Sequence, residues 1–395
     1  MRQVALILVA AAVLAVPQAA AKPGVPSQLL AFVGSGRDVS VVKVDALTLK
    51  PVSRTAPLGV SNPSFVARLV GRVAITDGAA SLRFIDLKRM RWEFRVAYPG
   101  PPEAAVWSYA DKLVTLNASA TAEVIVVDPT RRRLEKVRSL PGSLVAWAVA
   151  GDRIVALLGP LDGIGASKLA VIDDRGAART VPLPQIRSGA VTANDDSTHT
   201  FLTPGLAVDK KRAVVVAPDG AVAEVRLDTL AVTAYASRAL AAARKAANGS
   251  MRTARFVDEN IVAVTGEDWS WDGTVQRVAP TGLTLVDTRD WSARKIDSTT
   301  RGVAPSGFGP GCIVCGGPLV AFGSDGLAGY DADGTLQFRL FAGTQVGLPL
   351  LASSYAYLPG ANPATHFTVV DTWSGKIVKT VDTAKPTLLV PSWSY

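Results

Sequence analysis

The two cysteines of the chain, Cys312 and Cys315, stand in a Gly-Cys-Ile-Val-Cys-Gly-Gly segment. In an exported protein this pair predicts a disulfide bond. An extended strand would hold the two Cα atoms about 10 Å apart, beyond the limit of about 7 Å for a disulfide, so the segment must turn. The flanking glycines permit that turn. A redox-active pair is the alternative, although the strand–helix–strand context of thioredoxin-like sites is missing.

A candidate metal site begins at Asp268, where Asp268, Ser270 and Asp272 offer oxygen ligands at alternate positions before Gly273. This spacing is similar to the start of a Ca²⁺-binding loop. The twelfth position is Ala279, where such loops place a bidentate Glu. A tight Asp-Gly turn is therefore the alternative. We expect no resident cofactor, and Ca²⁺ at this segment is the alternative.

Trp269 and Trp271 alternate with these polar residues. In an extended segment both indoles would lie on the same side and could stack on a sugar ring. Packing at the rim of the fold is the alternative role. The pair is thus a candidate ligand-binding site for a saccharide.

A second polar cluster contains Asp195, Asp196 and His199, and these residues are candidate ligand-binding residues in a long connection. A solvated loop is the alternative. A zinc site would need both histidines of the chain, His199 and His366, together with both cysteines, at no recognisable spacing. The sequence also lacks a Gly-x-Ser-x-Gly elbow, a phosphate-binding Gly loop and His-Glu-x-x-His. We therefore assign no catalytic residue.

Basic residues are concentrated in two short runs, Lys88–Arg91 and Arg131–Arg133. Such runs could contact an anionic surface of the cell envelope, such as lipid headgroups or a cell-wall polymer. A solvated hairpin face is the alternative. Aromatic residues do not interleave with the cations, so nucleic acid is not expected as a partner.

The elements that must position these residues are β-strands. The chain has 395 residues, 48% apolar and 19% charged, which excludes a disordered protein. Its 34 Gly and 25 Pro separate short apolar runs, as turns do. Only seven carboxylates are Glu, a helix former, and the rest are Asp, a turn residue. The composition predicts an all-β fold.

An internal repeat specifies the fold further. A short apolar or alternating run ends in Asp and is followed by a turn and another strand-like run. Spacings between successive aspartates are 41, 42, 45, 55, 59, 44 and 40 residues, which is typical of the blades of a β-propeller. We expect each Asp to start a turn by accepting backbone hydrogen bonds. The repeated aspartates are Asp45, Asp86, Asp128, Asp173, Asp228, Asp287, Asp331 and Asp371.

Each repeat predicts four strands, a to d, in a single propeller domain over residues 22–395. We expect eight blades, or seven if one copy is degenerate. The first copy lacks strand a, and a spare C-terminal strand at Thr387–Val390 could complete it and close the ring. An Ala-rich insertion at residues 237–249, with an N-cap Ser237 and a final Gly249, predicts a short helix.

Residues 1–21 have the pattern of a secretory signal peptide, with Arg2, a 13-residue apolar core and three alanines before the expected cleavage site. The core is shorter than the roughly 20 residues that span a bilayer. No later stretch is long and apolar enough to span. We therefore expect a secreted, periplasmic or cell-surface protein without a transmembrane segment after signal cleavage.

The segment Pro204–Gly220 (PGLAVDKKRAVVVAPDG) and the Val-Val-Asp…Gly…Val motif at 369–378 resemble the YVTN/NHL-type β-propeller repeat superfamily, which includes propellers similar to quinoprotein amine dehydrogenase. The resemblance covers the repeat pattern of nearly all the chain after residue 21, and its motifs are structural. It implies a propeller fold without implying one activity.

The lengths of the connections between strands indicate which end of such a propeller carries the binding function. The a–b and c–d turns are short, and the long connections, such as 184–203 and 266–282, are b–c or d–a. Long loops on a rigid scaffold usually carry function. We therefore expect a non-enzymatic module that binds a ligand or protein through the b–c/d–a side. The alternative is a lactonase-like or quinoprotein-dehydrogenase-like enzyme with a metal or cofactor in the central channel.

Overall fold

A computed structural model of the chain describes residues 28–390, apart from 60–62, 70, 77–80, 109–110, 193–198, 238–239, 242–247, 273–274, 305–317 and 361–363. The predicted signal peptide and both cysteines lie outside the described residues. So does most of the predicted helix at 237–249, whose expected last residue, Gly249, is instead the first residue of a strand.

Almost every described element is a strand, and the one described helical element is a short 3₁₀ turn at Gly36–Asp38. No helix among the described residues is long and apolar enough to cross a membrane. The described strands, in chain order, are β1 (Gln28–Val33), β2 (Ser40–Asp45), β3 (Pro51–Arg54), β4 (Ser64–Leu69), β5 (Arg72–Thr76), β6 (Ser81–Asp86), β7 (Arg91–Ala97), β8 (Ala104–Trp107), β9 (Leu113–Ala118), β10 (Ala122–Asp128), β11 (Arg133–Ser139), β12 (Ser143–Ala150), β13 (Arg153–Gly159), β14 (Gly163–Ile172), β15 (Ala178–Thr192), β16 (His199–Thr203), β17 (Gly205–Val208), β18 (Arg212–Val216), β19 (Ala221–Arg226), β20 (Val232–Ala236), β21 (Gly249–Phe256), β22 (Ile261–Asp272), β23 (Val275–Pro280), β24 (Leu283–Asp287), β25 (Ala293–Asp297), β26 (Thr300–Val303), β27 (Leu319–Gly323), β28 (Gly326–Tyr330), β29 (Leu336–Leu340), β30 (Leu350–Ala352), β31 (Tyr355–Pro359), β32 (Ala364–Asp371) and β33 (Lys376–Val390).

Four groups of consecutive strands form separate four-stranded sheets, in which each strand pairs antiparallel with the next. These are β4–β7, β8–β11, β17–β20 and β26–β29. Two larger sheets contain the other strands: a seven-stranded sheet in the order β3-β2-β1-β33-β32-β31-β30, and a ten-stranded sheet that includes β12–β16 and β21–β25. The C-terminal strand therefore pairs with the first strand, with Leu30 opposite Val390.

The apolar content of each strand corresponds to how deeply the strand is buried in its sheet. Apolar runs such as β18, Arg212–Val216, are buried on both faces, as expected for strands covered on both sides. The fourth strand of a sheet is mostly exposed, as in β11 and β20. The first strands of successive sheets contact one another. The sheets therefore stand around a common centre with their fourth strands outermost.

The apolar core of the described residues lies between sheets. It consists of eight clusters, and each is formed by two sheets or strand groups that are consecutive along the chain or contain its two ends. Phe84 of β6 and Ile125 of β10 belong to one such cluster. Another joins Leu29 and Val42, near the start of the chain, to Tyr357 and Phe367, near its end. Face-to-face packing of successive sheets is the architecture of a β-propeller.

The repeated aspartates all start turns. Asp45 Oδ1 accepts backbone hydrogen bonds from Thr48 at 2.8 Å and Leu47 at 3.1 Å. The other seven aspartates each accept at least one backbone N–H from the turn that follows. The turn role that the sequence predicted for these carboxylates is confirmed.

The fold is thus an all-β, single-domain β-propeller. The four separate four-stranded sheets are fewer than the eight predicted blades, because hydrogen bonds join the remaining strands into the two larger sheets.

Candidate binding face

The propeller has two ends. We call the end with the b–c and d–a connections the connection face, and the end with the a–b and c–d turns the turn face. The expectation that every long connection lies on the connection face is wrong at residues 304–318. This connection follows β26 and precedes β27, the first two strands of their sheet, so it is an a–b connection by topology, and residues 305–317 within it lie outside the described residues.

The longest predicted loops of the connection face are largely strands. The segment 266–282 contains the end of β22 and all of β23, which pair with each other from Asp272–Val275 to Glu267–Pro280. Residues 184–203 contain the end of β15 and the strand β16, which also pairs in parallel with β21. These strand ends form an extension of the sheet on the connection face, which we call the connection ribbon. It consists of β16, β23 and the ends of β14, β15, β21 and β22. It joins strands of two blade-like groups into the ten-stranded sheet.

The candidate Ca²⁺ ligands belong to this ribbon. Asp268 and Ser270 are residues of β22, in an extended strand where the sequence predicted a loop. Asp268 is 8% exposed, and its Oδ1 accepts hydrogen bonds from Arg252 Nη1 and Ser250 Oγ, both at 2.9 Å. Arg252 is itself 4% exposed. This carboxylate is therefore held by a buried ion pair inside the protein.

Asp272 ends β22, and its side chain lies outside the described part of the structure. Within that part, no group of three or more His, Cys, Asp or Glu side chains is placed to hold a metal ion. Asp195 and Asp196 lie outside the described residues, and of His199 only the backbone is described, opposite Thr192 in the β15–β16 pair.

Trp269 and Trp271 are half-buried residues two apart in β22, on the same side of the strand as the sequence predicted. The ring of Trp269 lies edge-on to Phe201 of β16, with centroids 5.7 Å apart. This contact corresponds to the packing role that the sequence allowed, and it holds β16 and the end of β22 together within the connection ribbon.

Exposed large apolar side chains distinguish the two faces of the propeller. Besides Trp147 on β12, those among the described residues belong to the fourth strand of a sheet, to the first half of β33 or to the connection face. None belongs to a described turn of the turn face. The connection-face members are Leu161, Val191, Val275, Leu348 and Leu388.

Two of these residues, Leu348 and Leu388, line a groove of about 760 Å³. The groove lies where β31, β32 and the end of β33 meet the connection between β29 and β30. Its lining is mainly apolar and includes Phe341, Val346 and Phe367. A concave, mostly apolar site of this size is typical of ligand-binding pockets.

A histidine with a carboxylate partner borders this groove. His366 is half-exposed, and its Nδ1 lies 2.8 Å from Asp382 Oδ1. A carboxylate partner favours hydrogen on Nδ1 and leaves Nε2 for another partner. The groove was not predicted from the sequence. A signal for it is Leu348, an apolar residue in a turn-forming segment between Gly347 and Pro349.

A second polar cluster ties neighbouring sheets together. Asp297, at the end of β25, accepts hydrogen bonds at 2.7 Å from both Tyr330 and Arg339. Burial alone would raise the pKa of Asp297, but hydrogen bonds from Arg339, Thr299 and Tyr330 outweigh burial and hold that pKa well below its usual range. Burial and the Asp297 carboxylate raise the pKa of Tyr330. This cluster is structural, because every polar group in it has a protein partner.

No protein-family model matches the chain, and no curated protein matches it. Solved structures do resemble it. The dihydro-haem d1 dehydrogenase NirN in complex with DHE has a TM-score of 0.59 and 13% identity, over 96% of this chain and 78% of NirN. Apo AztD from Citrobacter koseri has a TM-score of 0.57 and 14% identity, over 93% of this chain and 98% of AztD. BamB from Moraxella catarrhalis has a TM-score of 0.50 and 12% identity, over 81% of this chain and 87% of BamB.

These neighbours are β-propeller proteins, and this chain is likewise a β-propeller repeat protein, as the sequence predicted. Identities of 12–14% show a shared fold alone.

Proposed function

We propose that this propeller is a non-enzymatic binding module whose connection face takes an apolar segment of a partner protein. The observation that carries the proposal is the distribution of exposed apolar side chains. Leu161, Val191, Val275, Leu348 and Leu388 are on the connection face, and no described turn of the opposite face has an equivalent. Exposed apolar surface beside a groove is typical of a protein-binding site.

We further propose eight blades in a closed ring. The seven-stranded sheet would contain two blades, with β33 serving as the fourth strand of the last blade and the first strand of the first blade. The ten-stranded sheet would contain two blades joined by the connection ribbon. The eight interblade core clusters and the β1–β33 pairing support this arrangement.

The same proposal places the protein outside the cytoplasm. The N-terminal 21 residues support export, and in an oxidising compartment Cys312 and Cys315 would form a disulfide.

Site-specific photocrosslinking tests the binding role. A photoreactive amino acid replaces Leu348, which is 57% exposed, in one variant and Val378 of β33, an apolar residue that is 45% exposed, in the control variant. Both variants are expressed in the native host and crosslinked in intact cells. We expect one defined protein adduct at position 348 and none at position 378.

Leu348→Ser combined with Leu388→Ser should abolish the adduct formed by a probe at Val275 while the variant keeps its melting temperature. Adducts at 348 and 378 of equal yield, or no adduct at 348, would contradict the proposal.

Native mass spectrometry of the purified protein, prepared without chelator, tests the enzyme alternative. Under the proposed function the mass equals that of the bare chain after residue 21 less two hydrogens, which corresponds to the Cys312–Cys315 disulfide. An excess mass matching Ca²⁺ or an organic cofactor would instead favour an enzyme. Reduction should restore the two hydrogens.

A further inference from the structure

The two sheets β4–β7 and β8–β11 have a local concentration of positive charge. Residues 64–139 contain 13 Lys and Arg against eight Asp and Glu, an excess of five in a chain whose net charge is +9. Six of these cations follow the β6 and β10 strands, in or beside the turns that Asp86 and Asp128 start. We call these six the basic patch: Lys88, Arg89, Arg91, Arg131, Arg132 and Arg133.

The two halves of the basic patch are adjacent in space. Arg132, which follows β10, has its guanidinium carbon 5.3 Å from the ring centroid of Phe94 in β7 of the neighbouring sheet. Phe94 in turn stacks on Phe84, with centroids 4.6 Å apart. The Arg132–Phe94 contact therefore brings the turn of one sheet against the outer strand of the next.

Only part of this charge is neutralised locally. Arg89 lies 3.3 Å from Asp86, and Arg131 lies 3.8 Å from Asp128. Lys88, Arg91 and Arg133 are exposed and have no carboxylate within ion-pair distance among the described residues. The tips of these two turns therefore present uncompensated cations to the surroundings.

The shape of this region favours a flat anionic surface over an anionic chain. A recess of about 570 Å³ beside the second turn is lined by Glu135 and Asp174 as well as Lys112, Lys136 and Arg175, and Lys112 pairs with Glu135. These charges largely cancel, so the recess adds little attraction for a polyanion that threads it. The basic patch itself is convex, at the tips of turns, and no described turn of the turn face exposes a large apolar side chain. Such a surface suits electrostatic contact with lipid headgroups without insertion.

We propose that the basic patch holds the protein on the surface of an anionic phospholipid bilayer through headgroup phosphates. In this orientation the connection face points away from the bilayer. The proposal is independent of the identity, and of the existence, of a partner at the connection face.

Vesicle co-sedimentation of the purified protein tests the proposal. The probes are phosphatidylcholine vesicles and vesicles with about one third phosphatidylglycerol. We expect binding to the anionic vesicles only, and release in about 1 M salt, where the Debye length is about 3 Å. The variant K88S/R91S/R133S removes three unpaired cations and should weaken partitioning about a hundred-fold, since each cation near such a surface contributes about five-fold.

The matched control is K295S/K379S/K385S, which removes the same charge from exposed strand positions of β25 and β33. It should retain partitioning within a few-fold, and circular dichroism should show both variants folded. An equal loss in the control would reduce the effect to net charge and overturn the proposal. Tight binding to soluble polyphosphate without binding to vesicles would overturn it in favour of an anionic polymer.

Discussion

Asp297 is the residue whose charge matters most to the contact between its two sheets. It lies on β25, and its partners Tyr330 and Arg339 lie on β28 and β29 of the next sheet. Arg339 also donates to Asp325 at 2.7 Å. Because the folded protein stabilises the ionised form of Asp297, its low pKa contributes to the free energy of folding.

Asp297→Asn should therefore lower the free energy of unfolding at neutral pH by about 2–3 kcal/mol, the range for hydrogen bonds to a charged group. Urea unfolding followed by tryptophan fluorescence measures the change. Asp333→Asn, at an exposed turn position of the next sheet, is the control and should change stability by less than about 0.5 kcal/mol.

The same variant has a defined pH dependence. The pKa of Asp297 is lowered in the folded state, so its contribution is complete above the unfolded value near 3.8 and is lost as pH falls below it. The stability difference between the wild-type protein and Asp297→Asn should shrink between about pH 4 and pH 2. A difference that stays constant over this range would contradict the assigned role.

Asp268 is held by a more deeply buried ion pair. Asp268→Ala leaves Arg252 buried without its counter-charge and should cost about 3–5 kcal/mol of unfolding free energy. Ser250→Ala removes only a neutral donor to the same oxygen and should cost about 1 kcal/mol. Equal losses from the two substitutions in denaturant titrations would show that the charge of Arg252 is compensated elsewhere.

Asp268 also shows where sequence analysis reaches its limit at the residue scale. Alternating oxygen ligands before Gly273 were visible along the chain. The partner that uses one of those oxygens, Arg252, stands on the neighbouring strand, and its position depends on the pairing of Arg252 with Gly266. Ligand spacing is a local property, whereas register across a sheet is not.

At the scale of elements, the Asp-started turns share a second feature. In five of them a non-glycine residue has a left-handed backbone conformation, with φ between 51° and 61°, as at Met90, Arg132 and Trp291. Such a conformation costs a side-chain-bearing residue of order 1 kcal/mol, and glycine avoids that cost. The corresponding residue in the last turn is Gly375, with φ 63°.

Arg132, which has a left-handed backbone conformation, and its neighbour Arg131, which does not, allow a direct comparison. Arg132→Gly relieves the left-handed strain but loses the Phe94 contact, so the unfolding free energy should stay within about 0.5 kcal/mol of wild type. Arg131→Gly, without such strain to relieve, should destabilise by about 1 kcal/mol. Thermal unfolding of both variants measures the difference, and the opposite order would refute the turn analysis.

The same scale explains why the connection ribbon was missed. Residues 266–282 have Gly at both ends, an Asp-Gly pair at 272–273 and no long apolar run, which is typical of a loop. In the structure the segment is a hairpin that continues β22 and adds β23. Its pairing comes from backbone hydrogen bonds to strands already in place, and such bonds demand little of the side chains. The aspartate turns were predictable because a single side chain starts each one.

For the molecule as a whole, the pairing of the C-terminal strand with β1 joins the two ends of the chain. Deleting residues 386–395 removes the strand opposite β1 and leaves an open apolar edge. We expect loss of cooperative thermal unfolding and aggregation at micromolar concentration, measured by calorimetry and light scattering. Deleting 391–395 alone retains the paired residues Thr387–Val390 and should leave both properties unchanged.

Much of the overall architecture was predictable, because period, turn chemistry and apolar runs repeat along the chain. The eight aspartates located the turns, and the spare C-terminal strand was expected opposite β1. Joining of sheets through β16 was not predictable, since it depends on a parallel pair between Phe201 and Gly249 across an intervening sheet.

The pairing of the two ends has a consequence for the time course of folding. Most hairpins of this propeller join strands close in sequence and can form while the rest of the chain is unstructured. Leu30 and Val390 are an exception, because 360 residues separate them. Bringing two residues so far apart in sequence together costs much conformational entropy until the intervening sheets have formed. The pairing of β1 with Thr387–Val390 should therefore form last, and a nascent chain cannot complete this sheet until those residues have left the ribosome.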